Sequence, residues 1–304
     1  MKGRLFKAGK WFFFLLVAFF LGRFFYRNFD DIRALDLTPD WPLFLLSIVF
    51  YCMYKLSQGW LWHYLTVQNR SAIPFSEGTR AYLYSHLGKY IPGKVFIVLA
   101  RIPPYRKYGV PAKTVTVCFV LENICTILSA GLLFIISLFV FPNETFNSYK
   151  WVTIILIIVF FICLNPAIMN FFLGLLEKIT RREGFRVRIT YRQMVIAVLL
   201  FVLNWVVYGT GFYFLACAFH PVPAGQWLYV VGIYSLSCIA GIMAIFSPSG
   251  LGVREGIILL GMGLIMDQNY AAVISIIARL WAVLTELVLL GIIFVISKCR
   301  EKNK

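Results

Sequence analysis

The chain has 304 residues, 61% of them hydrophobic and only 14% charged, with a mean hydropathy of +0.81. A soluble domain carries roughly a quarter of its residues as charges, so a water-soluble enzyme is excluded and a polytopic membrane protein is expected. The net charge of +16 is not a nucleic-acid signal, because the basic residues sit beside apolar runs, where the positive-inside rule places them.

A helix needs about 20 apolar residues to span the hydrocarbon core. In chain order, the apolar runs are residues 11–26, 41–62, 115–141, 151–172, 194–219, 227–246, 256–265 and 271–297. They predict an all-α polytopic protein of about eight transmembrane helices, the seventh shortened by a Pro/Gly-rich break. The first run follows Lys2, Arg4, Lys7 and Lys10 like a signal peptide, but Leu21-Gly22-Arg23-Phe24-Phe25 offers no small-x-small cleavage site. It is read as an uncleaved helix. Lys and Arg fill the connections after the second and fourth runs and the tail 298–304, while the alternate loops are acidic or neutral. That alternation agrees with an even number of crossings and with cytoplasmic N- and C-termini in a cell (inner) membrane. Basic loops of this kind also attract anionic lipid head groups.

Residues 63–113 form the longest polar connection, within a single transmembrane domain spanning 1–304. An amphipathic interfacial helix is expected over 76–90, capped by Ser76, with Tyr82, Leu83 and Leu87 in helical spacing. The break Ile91-Pro92-Gly93 and the short apolar run 95–99 follow. Residues 85–101 therefore read as a re-entrant hairpin. A second break, Ser247-Pro248-Ser249-Gly250-Leu251-Gly252-Val253-Arg254-Glu255-Gly256, predicts another re-entrant segment over 247–256. Backbone freed by Pro and Gly persists at membrane depth only where protein or a wet cavity surrounds it. A pair of such breaks is the sequence pointer to a transporter's substrate site.

Arg101, Glu122, Arg254, Glu255, Arg279 and Glu286 are charged residues in or beside apolar runs. Each costs at least about 2.5–3.5 kcal/mol near the bilayer centre, so pairing inside the bundle is expected. Arg279 and Glu286 are two turns apart on one helix face, about 10 Å along the axis, too far to pair directly. Arg254, Arg279 and Arg101 are candidates for binding a lipid phosphate through the guanidinium fork. A helix starting near Gly252 would add backbone N–H groups, and Gly250 and Gly252 would let the backbone approach closely. Glu255, Glu122 or Glu286 would balance charge, receive a cationic head group or carry a coupling proton. Lys89 and Lys94, flanking the first break, are further head-group contacts. The competing reading is a set of structural ion pairs locking the bundle.

The stretch Ser85-His86-Leu87-Gly88-Lys89-Tyr90-Ile91-Pro92-Gly93-Lys94, followed by Arg101, Gly109-Val110 and Glu122, resembles one signature of the lysylphosphatidylglycerol synthase transmembrane region, a flippase-like family. Residues 248–256 are similar to its second signature, P-x-G-L-G-x-R-E, and Arg279 falls where the family carries an Arg in the following helix. The resemblance implies a membrane domain that moves lipids between leaflets. In full-length members a soluble aminoacyl-transferase domain follows; here only residues 298–304 follow the last run. The expectation is a stand-alone flippase-like lipid transporter, and not an enzyme. Its partner would be an anionic or lipid-linked membrane lipid, supplied by a separately encoded synthase or transferase. A homo-oligomer is compatible with the sequence.

Two other classes compete. An accessory membrane subunit of lipid or envelope-glycan biosynthesis would dock partners through its basic loops. An integral-membrane lipid-modifying enzyme would need catalytic groups. The Pro248-Ser249-Gly250 triplet is followed by Leu251 where a lipid phosphatase motif has His, and no His lies beyond His220. His63, His86 and His220 are too scattered to bind a metal, so no catalytic residue, metal or cofactor is expected. Cys52, Cys118, Cys125, Cys163, Cys217 and Cys238 fall in apolar runs, as small buried residues do, with no disulfide framework.

Overall fold

The computed structural model of the protein describes residues 35, 37–86, 88, 95–140, 151, 155, 162, 164–171, 174, 187–244 and 250–302. The predicted run 11–26 and half of 151–172 lie outside these residues.

Among the described residues every regular element is helical. We label the α-helices α1 (Trp41–Gln68), α2 (Phe75–Ser85), α3 (Val95–Arg106), α4 (Ala112–Val140), α5 (Tyr191–Phe219), α6 (Trp227–Met243), α7 (Val253–Met262) and α8 (Gln268–Lys302). A single 3-10 turn, Ala224–Gln226, leads into α6. By length and composition, Ala112–Val140, Tyr191–Phe219, Ala224–Met243 and Gln268–Ile293 are long and apolar enough to cross a membrane. They match four of the eight expected crossings. Helix α1 has 28 residues, but Lys55, Gln58 and His63 interrupt its apolar character. Helix α7 has 10 residues, about 15 Å of length, half of a hydrocarbon core about 30 Å thick. By itself it is too short to cross, as expected of a seventh run shortened by the break.

Helix α2 is shorter than expected and Ser76 does not cap it. Pro74 occupies the N-cap with φ −48° and ψ 135°, and its carbonyl accepts from the N–H groups of Glu77 and Gly78, each at 3.0 Å. Proline's restricted φ places the chain reversal there, two residues earlier. Helix α3 runs through Pro103 and Pro104. Their missing N–H groups release the carbonyls of Leu99 and Ala100, both exposed, so the helix survives where those oxygens are not buried. Residues 87 and 89–94, which would complete the expected hairpin, and 247–249 of the second break lie outside the described residues.

The chain divides into two compact units, one of Met1–Cys52 with Val207–Lys304 and one of Met53–Val206. In the Met53–Val206 unit, Leu61 and Leu65 of α1, Val117, Leu121 and Cys125 of α4, and Met194, Ala197 and Phe201 of α5 form one buried apolar cluster. Asn69 tethers the connection before α5, its Oδ1 accepting from the N–H of Arg188 at 2.9 Å. The indole N–H of Trp205 donates to the carbonyl of Thr126 at 3.1 Å.

In the other unit, small residues set the helix spacing. A Cβ at Gly209 would meet Val231 Cα at 2.8 Å, and one at Gly261 would meet Ile233 Cδ1 at 2.8 Å. Tyr229 Oη donates to the carbonyl of Gly261 at 3.0 Å, tying α6 to α7. Asp40 and Asp267 accept from Leu43 N–H at 3.2 Å and Asn269 N–H at 2.8 Å, capping the starts of α1 and α8.

Candidate functional site

The expected intramembrane charges resolve into two clusters, one in each unit. In the Met1–Cys52/Val207–Lys304 unit the cluster is built around the start of α7. Gly250 and Gly252 have φ of +70° and +83°, in the left-handed region that glycine enters without steric cost. These two turns end the break and start the helix. Gly252 is the N-cap, and Glu255, three residues on, accepts from its N–H at 2.6 Å. That is the reciprocal half of a capping box. The second carboxylate oxygen of Glu255 accepts from Arg279 Nη1 of α8 at 2.6 Å. Glu255 is buried, at 4% exposure, and both its oxygens are engaged. The expected backbone anion site at Gly252 is thus filled by the protein's own carboxylate.

Arg254, the next residue along, points elsewhere. Its stem lies over Gly241 of α6, where a Cβ would meet Arg254 Cγ at 2.6 Å and Cδ at 2.9 Å. The backbone at Gly250 approaches the same glycine, and a Cβ on Gly250 would collide with Gly241 Cα. The half-buried guanidinium donates to Tyr234 Oη at 3.2 Å and lies 5.6 Å from that ring's centroid. Tyr234 is fully buried, stacked on Phe212 at 4.2 Å and edge-on to Tyr208 at 4.8 Å. Among the described residues no carboxylate lies within 4.0 Å of Arg254. It is a cation held by phenols, with donors to spare.

In the Met53–Val206 unit, Arg101 of α3 is ion-paired with Glu122 of α4 through Nη1. Its Nε donates to Ser85 Oγ at 2.9 Å. The guanidinium carbon lies 4.1 Å from the Trp62 ring, 4.5 Å from Tyr82 and 5.4 Å from Phe119. Arg101 is 1% exposed. Tyr82 in turn donates to Gln58 Oε1 at 2.8 Å, and Trp62 donates to Tyr105 Oη at 2.8 Å. Four helices therefore converge on one enclosed cation.

The structure thus places Gly250, Gly252, Arg254, Glu255 and Arg279 together, and Arg101 with Glu122. Lys94 lies outside the described residues. Glu286 is buried on α8 at 2% exposure. Sequence reasoning read Tyr82 as part of an apolar helix face and missed it, Trp62, Tyr208 and Tyr234 as the walls around Arg101 and Arg254. No local spacing links them: Tyr234 precedes Arg254 by 20 residues across the break.

No curated protein matches the sequence. The family described as the lysylphosphatidylglycerol synthase TM region matches residues 10–290, nearly the whole chain, including all but the last three residues of the four helices long and apolar enough to cross a membrane. The chain belongs to the lysylphosphatidylglycerol synthase TM region family, and it is an integral membrane protein of lipid metabolism or transport.

Proposed function

We propose that the protein is a lipid flippase-like transporter that moves a phosphate-bearing lipid or lipid-linked intermediate between leaflets, with no covalent chemistry of its own. Arg254 carries the reading. An intramembrane cation without a carboxylate partner among the described residues is costly, and a structural role would have been served by the pairing that Arg279 already has with Glu255. A guanidinium with spare donors fits phosphate through two parallel hydrogen bonds. The glycines at 241 and 250 let helix and loop backbone close around its stem.

The test is lipid translocation by purified protein in liposomes, comparing labelled phosphatidylglycerol with a polyprenyl phosphate. Native protein is expected to move at least one of them, and Arg254→Gln to abolish movement while inserting normally. Undiminished movement by Arg254→Gln would remove Arg254 from the pathway. No movement by correctly inserted native protein would favour an accessory subunit that docks a separately encoded synthase or transferase.

A further inference from the structure

Resting on the reading of Arg254 as the head-group cation, we infer that Trp281 is a second ligand-contacting residue of the same site, its indole N–H donating to an oxygen of the phosphate-bearing head group. The inference starts from a contrast among the buried tryptophans. Trp62, Trp205 and Trp281 are 0%, 3% and 3% exposed. Trp62 Nε1 donates to Tyr105 Oη at 2.8 Å, and Trp205 Nε1 to the carbonyl of Thr126 at 3.1 Å. Even the half-buried Trp227 donates, to Thr210 Oγ1 at 3.0 Å. Trp281 Nε1 is enclosed and finds no acceptor. An indole nitrogen can only donate. Leaving such a buried donor unmet forfeits its hydration with no return, which native structures rarely do without a functional reason.

The position of Trp281 says which ligand. It lies on α8, two residues beyond Arg279, edge-on to Tyr51 at 5.0 Å, stacked on Tyr208 at 6.1 Å and tilted to Tyr234 at 6.4 Å. Tyr234 is the link, because its hydroxyl accepts from Arg254 and its ring centroid lies 5.6 Å from that guanidinium. Arg254 and Trp281 therefore flank one tyrosine, the first a charged donor and the second a neutral one. A phosphate monoester or diester carries several acceptor oxygens on one centre and can serve both. A cation or an alkyl chain would leave the indole N–H as it is. The edge-on ring of Tyr51 offers that N–H only a weak π acceptor, no substitute for an oxygen.

The test reads the indole directly. The full chain, carrying isotope-labelled tryptophan, is studied in detergent by NMR, and the Trp281 N–H signal is assigned by its absence from Trp281→Phe. Short-chain phosphatidylglycerol or a short polyprenyl phosphate is expected to move that signal downfield as a hydrogen bond forms. In a second protein, benzothienylalanine replaces Trp281, keeping the fused ring and exchanging the N–H for sulfur. It is expected to bind the same lipid about tenfold more weakly than the native chain, while its unfolding midpoint without lipid is equal or higher. Arg254-dependent binding that leaves the Trp281 signal in place, and is as tight in the benzothienylalanine protein, would overturn this inference and keep the reading of Arg254. A moving Trp281 signal with binding undiminished in Arg254→Gln would overturn the reading of Arg254 and leave the Trp281 contact standing. An equal shift with inorganic phosphate would overturn the lipid as the source of the acceptor. Failure of both lipids to bind the folded native chain would overturn both.

Discussion

Arg101 and Arg254 are both cations flanked by tyrosine, yet their surroundings differ. Arg101 has a carboxylate, a hydroxyl and three aromatic faces around it and is almost wholly buried. Removing one partner of such a pair leaves an uncompensated buried charge, at a cost of about 3–5 kcal/mol. Arg101→Met and Glu122→Gln are therefore expected to lower the unfolding midpoint sharply. Replacing both together should cost less than the sum of the singles, measured as a double-mutant cycle in detergent. Arg254→Gln should leave the midpoint nearly unchanged while removing binding. A large loss of stability in Arg254→Gln with native binding would reverse the assignment. Glu255 lies between these cases. Glu255→Gln can still accept from Gly252 N–H but cannot neutralise Arg279, so a loss of about 1–3 kcal/mol is expected, discounted because Arg279 is partly exposed.

At the scale of elements, the start of α7 is held by contacts that tolerate no side chain at particular glycines. Gly241→Ala would press on the Arg254 stem at 2.6 Å. It is expected to reduce head-group affinity with the helix content of the circular dichroism spectrum intact. Gly250→Ala combines a collision with the Gly241 backbone and a φ of +70°. A cost of about 1–3 kcal/mol is expected from the backbone conformation alone. Gly256, inside α7, has nothing within 4 Å of an added Cβ, and Gly256→Ala should stabilise the helix by about 0.5–1 kcal/mol. If all three alanines behaved alike in thermal unfolding, the close packing of α6 against the break would be refuted. The double proline of α3 makes a related point. The helix continues through Pro103 and Pro104 because the carbonyls they release belong to exposed residues.

For the whole molecule, the four apolar helices settle membrane integration, and the orientation is carried by loop charge. Basic residues such as Arg188 and Arg192 precede α5, while residues 220–226 after it carry no Lys, Arg, Asp or Glu. A single reporter cysteine at Ala224, in a background with the native cysteines replaced, is therefore expected to react with an impermeant reagent from the cell exterior. One at Arg188 should react only after the membrane is opened. The reverse pattern would invert the topology.

Membrane class, helix content, family and the identity of the intramembrane charges were legible in residue order, because long apolar runs and Pro/Gly breaks are local signals that lipid imposes directly. The stretch from Gly250 to Glu255 announced a helix start, and its capping box lies within three residues. The short seventh run, residues 256–265, anticipated the 10 residues of α7 but placed them three residues late, because the N-cap is Gly252. Which charge meets which partner was decided only by tertiary structure. Glu255 to Arg279 and Arg101 to Glu122 are separated by 24 and 21 residues, and nothing in a run of sequence states which helix face will meet which. The aromatic walls were hidden for the same reason: Trp62, Tyr82, Tyr208 and Tyr234 look like ordinary apolar packing until the fold brings a guanidinium to their rings and hydroxyls. Sequence determined that this protein lives in the membrane and carries charge there. Only the packing of helices decided that one arginine is enclosed against a carboxylate while another is held by phenols.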